Sequence, residues 1–439
     1  MKHPKQLRTI LAVGLILCIL LGFSSCSGAM NEDVAGDGGY YAGAEAPGGA
    51  YDMDEGYMAD KVEDGMAPEE GESGSNNTSY PAGLITAGAW DDNENYTLWT
   101  ELFFRGQTVE ENGKFASYTG DNAWHFTTEQ RVRVTVLNGE APVAGAEVVA
   151  TDVGGAVLYR AVSNAAGVAY LFPNAEAGNV SLAHTTGTVS VPFTKEQRDL
   201  TLSVSTAAAK NNAIELMFVV DVTGSMGDEL SYLNNEIADV VNRVVVANPG
   251  VQIRLALLFY RDHTDSETFA YFDFTDVTNK NGLEAVQSTI RAQRATGGGD
   301  TPEAVEDALK MAIEKQWSSD STTRILFQIL DAPPHSGSEN RKNFYDAVLC
   351  AAEKGIRICP VICSGANSLT EYLMRQAALS TGGTFVFVTD DSGIGNSHHD
   401  PQLPNVTVEA LNSLIVRLIN GYHTGTFAPP VYWKQDAQK

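Results

Sequence analysis

The stretch that decides the fold runs Ile214-Glu215-Leu216-Met217-Phe218-Val219-Val220-Asp221-Val222-Thr223-Gly224-Ser225-Met226. Its apolar part, 216–220, is too short for a helix and is typical of a parallel strand that is buried on both faces. The apolar run stops at Asp221, and oxygen-bearing side chains then occupy alternate positions, at Asp221, Thr223 and Ser225. We therefore expect a carboxylate and two hydroxyls on the loop that leaves a central strand.

The loop after this strand is placed where ligands usually bind. A helical pattern at 230–246 follows it, so the three side chains belong to the carboxyl end of the strand. Ligands of open α/β sheets bind at this end of the strands. Carboxylate and hydroxyl oxygens suit Mg²⁺ or Mn²⁺, and Ca²⁺ also takes oxygen ligands. The stretch therefore predicts a site for a divalent metal ion.

Strands and helices alternate through the rest of this segment. Further strands are predicted at 251–260, 269–274, 324–330, 356–362 and 384–388, and helices at 283–293, from about 301, and at 343–354, 369–379 and 406–419. Such alternation is typical of a doubly wound, mostly parallel sheet that is covered by helices on both faces. The predicted fold class of this part is therefore α/β.

The loop at Asp221 also resembles a known signature. Asp221-Val222-Thr223-Gly224-Ser225 is similar to the Asp-x-Ser/Thr-x-Ser motif of von Willebrand factor type A domains. In that family these three residues begin a metal-ion-dependent adhesion site, which a threonine on a second loop and an aspartate on a third loop complete. The resemblance covers residues 213–422, and it implies the same α/β fold and the same kind of site.

Two further loops contain the residues that would complete such a site. By resemblance, Thr301 in the glycine-rich loop 297–303 takes the place of the family's threonine, and Asp331 takes the place of its aspartate. Asp300 is the alternative ligand, or a group that holds a ligand in place. A helix cap at Asp300 or Thr301, with Pro302 in the first turn and no metal, is the other interpretation of the glycine-rich loop.

The resemblance implies a binding module rather than an enzyme. An open metal position would capture a carboxylate from a protein partner, in adhesion or assembly. The alternatives are a phosphotransfer or hydrolytic enzyme that uses Asp221, and a structural domain that no longer binds metal. Lys and Arg number 29 against 55 Asp and Glu, a net charge of −26, which argues against nucleic acid as a partner because phosphate requires a cationic surface.

The first 26 residues have the pattern of an export signal. Lys2, Lys5 and Arg8 precede an apolar run at 10–23, which is the order found in signal peptides. Phe23-Ser24-Ser25-Cys26 resembles the bacterial lipobox, which implies lipidation at Cys26 and an anchor at the outer face of a bacterial cell membrane. An ordinary secretory signal, with Cys26 incidental, is the alternative.

The segments between the signal and the α/β part differ in composition. Residues 27–83 are acidic and rich in glycine without an apolar period, which predicts a disordered linker. Residues 84–205 contain alternating runs at 131–137, 146–151, 157–162, 168–172, 180–183 and 200–204, which predict an Ig-like β-sandwich. This sandwich resembles carboxypeptidase-regulatory and transthyretin-like modules. Residues 423–439 form a polar C-terminal tail.

Overall fold

The computed structural model describes residues 81–119, 124–182, 189–205, 212–299, 301–319 and 322–436. The predicted signal peptide with Cys26, most of the predicted linker and Asp300 lie outside the described residues. None of the helices within those ranges is long and apolar enough to cross a membrane.

The secondary structure alternates between strands and helices after residue 212. The strands are β1 (Thr86–Trp90), β2 (Val132–Asn138), β3 (Ala141–Pro142), β4 (Glu147–Thr151), β5 (Val157–Val162), β6 (Val168–Leu171), β7 (Gly178–Leu182), β8 (Ser190–Phe193), β9 (Asp199–Ser203), β10 (Ala213–Asp221), β11 (Gln252–Tyr260), β12 (Phe269–Asp276), β13 (Thr322–Leu330), β14 (Ile356–Ile362), β15 (Phe385–Val388) and β16 (Glu409–Ala410). The α-helices are α1 (Tyr96–Glu101), α2 (Leu230–Ala247), α3 (Lys280–Arg291), α4 (Val305–Glu314), α5 (Ser338–Glu353), α6 (Ser368–Thr381), α7 (Leu411–Thr424) and α8 (Trp433–Asp436).

The α/β part is built on one eight-stranded sheet in the order β12-β11-β10-β13-β14-β15-β1-β16. The strands β11, β10, β13, β14 and β15 run parallel to one another. The strands β12 and β1 are antiparallel to their neighbours β11 and β15. The predicted doubly wound, mostly parallel sheet is therefore confirmed.

Strand β10 lies inside this sheet and is buried on both faces. Its even-numbered side chains from Ile214 to Val220 pack in a cluster with apolar residues of α2, α3 and α7. Met217 and Val219 face the other cluster, to which α4, α5 and α6 contribute. Burial of each such side chain contributes about 1.5–3 kcal/mol, so the strand that ends in Asp221 is held firmly in place.

The β-sandwich consists of β2 to β9. One of its sheets joins β2 with β3, β6 and β9, and the other has the order β5-β4-β7-β8. Side chains of both sheets, such as Val134 and Val148, belong to one buried cluster, which is why the sheets pack face to face. The predicted all-β region is confirmed, while β3 and β8 were not predicted, since each is short and lacks a clear alternation.

Buried polar contacts attach the sandwich, and the segment that leads from β1 into it, to the α/β part. The guanidinium of Arg375, on α6, lies 2.6 Å from Asp92 Oδ1 and 2.9 Å from Glu371 Oε1. The hydroxyl of Tyr159, on β5, donates to the carbonyl oxygen of Ser380 at 3.0 Å. All five residues in these contacts are almost fully buried, so the contacts are shielded from water and from salt.

Strand β1 corrects the grouping of residues 84–90 with the sandwich. It pairs with β15 and β16 in the large sheet. The residues just before it are held by Glu236 on α2, whose carboxylate accepts from the backbone N–H groups of Gly83 and Leu84 at 2.8 Å and of Ile85 at 3.1 Å. The described chain thus enters the large sheet first, then forms the sandwich, and then returns to the same sheet.

Two predicted helix starts are also wrong. Helix α4 begins at Val305 rather than near residue 301, with Ala304 at the cap position and no side-chain cap. The reason is that Glu303 forms an extended bridge with Pro334, so the chain cannot yet be helical. Helix α7 begins at Leu411 rather than near 406, because β16 pairs with β1 immediately before it.

Replacement of Glu236 by alanine should loosen β1. Three backbone N–H groups would lose their acceptor, and we expect the free energy of unfolding to fall by about 1–3 kcal/mol. Glu284→Ala, at an exposed position of α3, is the control and should change it by less than about 0.5 kcal/mol. Urea unfolding of the two variants checks this, and equal midpoints would contradict the role given to Glu236.

Candidate metal centre

The register of the sheet brings the ends of three strands together. Asp221, the last residue of β10, is level with Tyr260 of β11. Val220 is level with Ile329 of β13, so Asp331 leaves its strand beside Asp221. The carboxylates of two of the loops singled out from the sequence therefore meet at one end of the sheet.

A chain of hydroxyls connects these carboxylates. Asp221 Oδ1 accepts from the backbone N–H of Thr223 at 2.9 Å and from its hydroxyl at 2.7 Å. The hydroxyl of Thr223 lies 3.1 Å from that of Ser225. A hydrogen bond from Ser225 lowers the pKa of Asp331, against the larger effect of burial. Asp221 and Thr223 are buried while Ser225 is exposed, so the site is open to solvent at Ser225.

The glycine-rich loop packs over the loop that follows β10. The N–H of Gly224 donates to the carbonyl oxygen of Gly297 at 3.0 Å, and that of Thr296 donates to Val222 at 2.9 Å. Gly298 has φ +70°, and a Cβ added there would lie 2.9 Å from Glu303 Oε1 and 3.1 Å from Thr223 Cβ. A residue without a side chain is needed here, both for the positive φ and for the close approach.

The structure adds Glu303 to the residues of the site. Thr301 is exposed, whereas Glu303 has only 2% of its surface exposed. Glu303 was not predicted as a site residue, because a glutamate shortly after Asp300 is typical of a helix cap. The sequence feature that could have indicated Glu303 is the position of an acidic residue directly before the apolar pattern of α4.

Three buried carboxyl groups lie close together at this site, and each of them has a raised pKa. Burial, followed by repulsion from Asp331, raises the pKa of Asp221 to about 7. Burial and then the charge of Asp221 raise the pKa of Glu303 to about 8. Burial also raises the pKa of Asp331 to about 6, with Glu229 adding to the effect. The site is therefore short of positive charge at neutral pH.

The residues present fit a divalent cation. Asp221 Oδ2, Asp331 Oδ1 and Glu303 Oε2 are buried and have no hydrogen-bond partner in the part of the chain that the structure describes. Buried acceptors of this kind are rare in folded proteins. A hard cation that takes oxygen ligands would pair with them, with the hydroxyls of Thr223 and Ser225 as neutral ligands.

The segment that contains this site matches a known family. Residues 215–390 match the von Willebrand factor A domain family model. The resemblance inferred from the three loops is thereby confirmed over these residues, and we refer to this part as the A domain.

Two curated proteins share part of the A domain. An ariadne-like RING finger protein of Acanthamoeba polyphaga mimivirus is 34% identical over 131 residues, which are 30% of this chain and 12% of that protein. The alpha-protein kinase vwkA of Dictyostelium discoideum is 28% identical over 130 residues, or 29% of this chain and 20% of the kinase. The chain therefore spans only a small part of the length of either relative.

Two solved structures are also similar. BatB from Bacteroides thetaiotaomicron has 13% identity and a TM-score of 0.32, and the match covers 48% of this chain and 98% of BatB. The open form of the pilus adhesin SpaC from Lactobacillus rhamnosus GG has 9% identity and a TM-score of 0.34, with coverage of 70% and 36%.

The metal-free protein should lose stability as the pH rises from 6 to 8. The raised pKa values mean that the folded state binds more protons than the unfolded state in this range, so deprotonation favours unfolding. Asp221→Asn removes one of the repelling charges and keeps an acceptor for Thr223. We therefore expect this variant, in EDTA, to melt higher than wild type at pH 8 and to lose less on going from pH 6 to 8.

Thermal melts in EDTA at the two pH values measure this difference. Asp346→Asn, at a half-exposed position of α5, serves as the control for the loss of one negative charge elsewhere. If the pH dependence of Asp221→Asn equals that of wild type and of the control, the carboxylates do not repel one another as described.

Proposed function

We propose that the A domain is a divalent-metal-dependent protein-binding module. The observation that carries the proposal is the set of three buried carboxylates, Asp221, Glu303 and Asp331, each with one oxygen unpartnered among the described residues. They adjoin the hydroxyls of Thr223 and Ser225, where the site opens to solvent. The match to the von Willebrand factor A domain family supports a role in protein interaction.

The chemistry and burial of each side chain indicate how it would contribute to metal binding. Asp221 and Asp331 would supply the negative charge that holds the ion, which we expect to be Mg²⁺, with Mn²⁺ or Ca²⁺ as alternatives. Thr223 and Ser225 would add neutral oxygens, so that the ion keeps positive charge toward the open side. A bound ion supplies a coordination position for an Asp or Glu of the partner protein.

We propose no catalytic role for Asp221. Its side chain is fully buried, and Oδ1 already accepts two hydrogen bonds from Thr223. A phosphotransfer or hydrolytic aspartate has to reach its substrate, and this one does not face solvent. The observations thus favour binding over the enzyme alternative.

We also propose where in the cell the protein is located. We infer from the sequence that the protein is exported and anchored through a lipid on Cys26, at the outer face of a bacterial cell membrane. The positive residues, the apolar run and the small residues before Cys26 support this,. The A domain would then meet protein partners at the cell surface or in the cell envelope.

Mg²⁺ should stabilise the wild-type chain. Ligand at 100 times its dissociation constant adds about 2.7 kcal/mol to the stability, and Asp221→Ala should abolish this shift together with EDTA-sensitive capture of a partner from native membranes. Glu303→Gln should weaken the shift more than Thr301→Ala, because Glu303 is buried in the site and Thr301 is exposed.

Thermal melts with and without Mg²⁺ and paired pull-downs with and without EDTA test these expectations. Asp346→Ala is the matched control and should behave as wild type. Failure of the wild type to bind any divalent ion at millimolar concentration would remove the metal-dependent function and leave only the fold. A larger loss in Thr301→Ala than in Glu303→Gln would restore Thr301 as the ligand.

The anchor is tested by fractionation of cells that express the chain. Wild type should sediment with membranes, and Cys26→Ser should move the protein to the soluble fraction because the acylated thioether cannot form. Mass spectrometry of the N-terminal peptide should show acyl groups in the wild type alone. A soluble, unacylated wild type would mean an ordinary secretory signal.

A further inference from the structure

Two histidines and two carboxylates meet close to the metal centre, and the proposed function makes no use of them. Asp262 and His263 follow β11, Glu306 lies in the first turn of α4, and His335 follows β13. The imidazole rings of His263 and His335 are stacked, with 4.5 Å between their centroids and 16° between their planes. Residues far apart in sequence are thus gathered from two loops and the first turn of a helix.

We propose that Asp262, His263 and His335 form a second cation site, which binds Zn²⁺ or a similar divalent ion that prefers imidazole. One ligand atom from each of the three lies within 4.8 Å of the others. His335 Nε2 lies 3.3 Å from Asp262 Oδ1. Two ligands bound tetrahedrally to zinc at about 2.0–2.1 Å are themselves about 3.3 Å apart, so Asp262 and His335 already have the required spacing. The His263 ring, which is stacked on His335, would turn so that its in-plane lone pair points at the same ion.

The polar atoms at this site are buried and unsatisfied. Asp262 has 3% of its surface exposed and Glu306 has none. Asp262 Oδ1, Glu306 Oε1 and His335 Nδ1 have no hydrogen-bond partner anywhere in the described ranges, even though each lies 3.3–3.4 Å from a polar atom of another. A cation between Asp262 and the two imidazole rings would pair with Asp262 Oδ1. It would also fix the orientation of His335 and, through it, of Glu306.

The surrounding carboxylates suit the role of positioning residues. Glu306 Oε2 accepts from the backbone N–H of His335 at 3.1 Å, and Oε1 lies 3.4 Å from its Nδ1. Asp307 Oδ2 lies 3.0 Å from His263 Nε2. Histidines that bind metals usually give their second ring N–H to a carboxylate. Glu306 would therefore orient His335 so that Nε2 faces the ion.

A cation here would cross-link the loops that build the first site. Asp265, three residues after Asp262, accepts from the N–H of Gly298 in the glycine-rich loop at 2.8 Å. Glu306 lies three residues after Glu303, and His335 lies on the loop that begins with Asp331. Occupation of the second site would thus fix the positions of residues that face the first site.

The test uses the full chain and Zn²⁺ alone as the probe, with millimolar Mg²⁺ present throughout to occupy the first site. Calorimetry should show one Zn²⁺ bound to wild type and to Asp221→Asn. His335→Gln and His263→Gln should each weaken this binding on the order of 100-fold, and Glu306→Gln should weaken it about 10–100-fold. His125→Gln removes an exposed histidine elsewhere and should bind as wild type.

Co²⁺ in place of Zn²⁺ gives a second readout. Visible absorption typical of a tetrahedral nitrogen and oxygen site should appear in wild type and disappear in either histidine variant. Unchanged circular dichroism and an unchanged Mg²⁺ stabilisation would show that these variants fold. If wild type binds no Zn²⁺ at micromolar concentration, or if both folded histidine variants bind it as wild type does, the second site does not exist.

Discussion

Burial of like charges at the carboxyl end of one sheet is the constraint on which the A domain depends. Asp221 is fully buried at the end of a strand whose side chains from Leu216 to Val220 are all apolar. Asp331 and Glu303 approach it from neighbouring segments, and all three carry raised pKa values. The apolar clusters on both faces of the sheet supply the stability that offsets this repulsion. A counter-charge at that place would turn an unfavourable cluster into a specific site.

Local patterns were sufficient to predict the centre of the fold and all residues of the candidate site except Glu303. The apolar run before Asp221 and the one before Asp331 are each contained in a few residues, and parallel pairing then brings their ends together. Glu303 could not be predicted in this way, because its position depends on the bridge to Pro334. Nor could the second cluster, because His335 and Glu306 meet Asp262 and His263 only in the folded chain.

The placement of β1 was beyond sequence reasoning for a related reason. The start of β1 is held by a hydrogen bond from the backbone N–H of Gly83 to the carboxylate of Glu236, which lies 153 positions away in the sequence. The alternating strands that follow it favoured the sandwich as its partner, and nothing near residue 86 signals the distant sheet. The buried cluster of Arg375, Asp92 and Glu371 also depends on a contact between residues far apart in the sequence, the ion pair of Arg375 with Asp92. Such contacts link the sandwich region to the A domain.

The path of the chain has a mechanical consequence. Because β1 precedes the sandwich yet lies in the large sheet, tension applied to the chain before residue 81 is transmitted to the A domain without passing through the sandwich. The load would fall on the ladder between β1 and β15 and on the three N–H groups held by Glu236. The sandwich, whose two ends both return to the A domain, is shielded from that force.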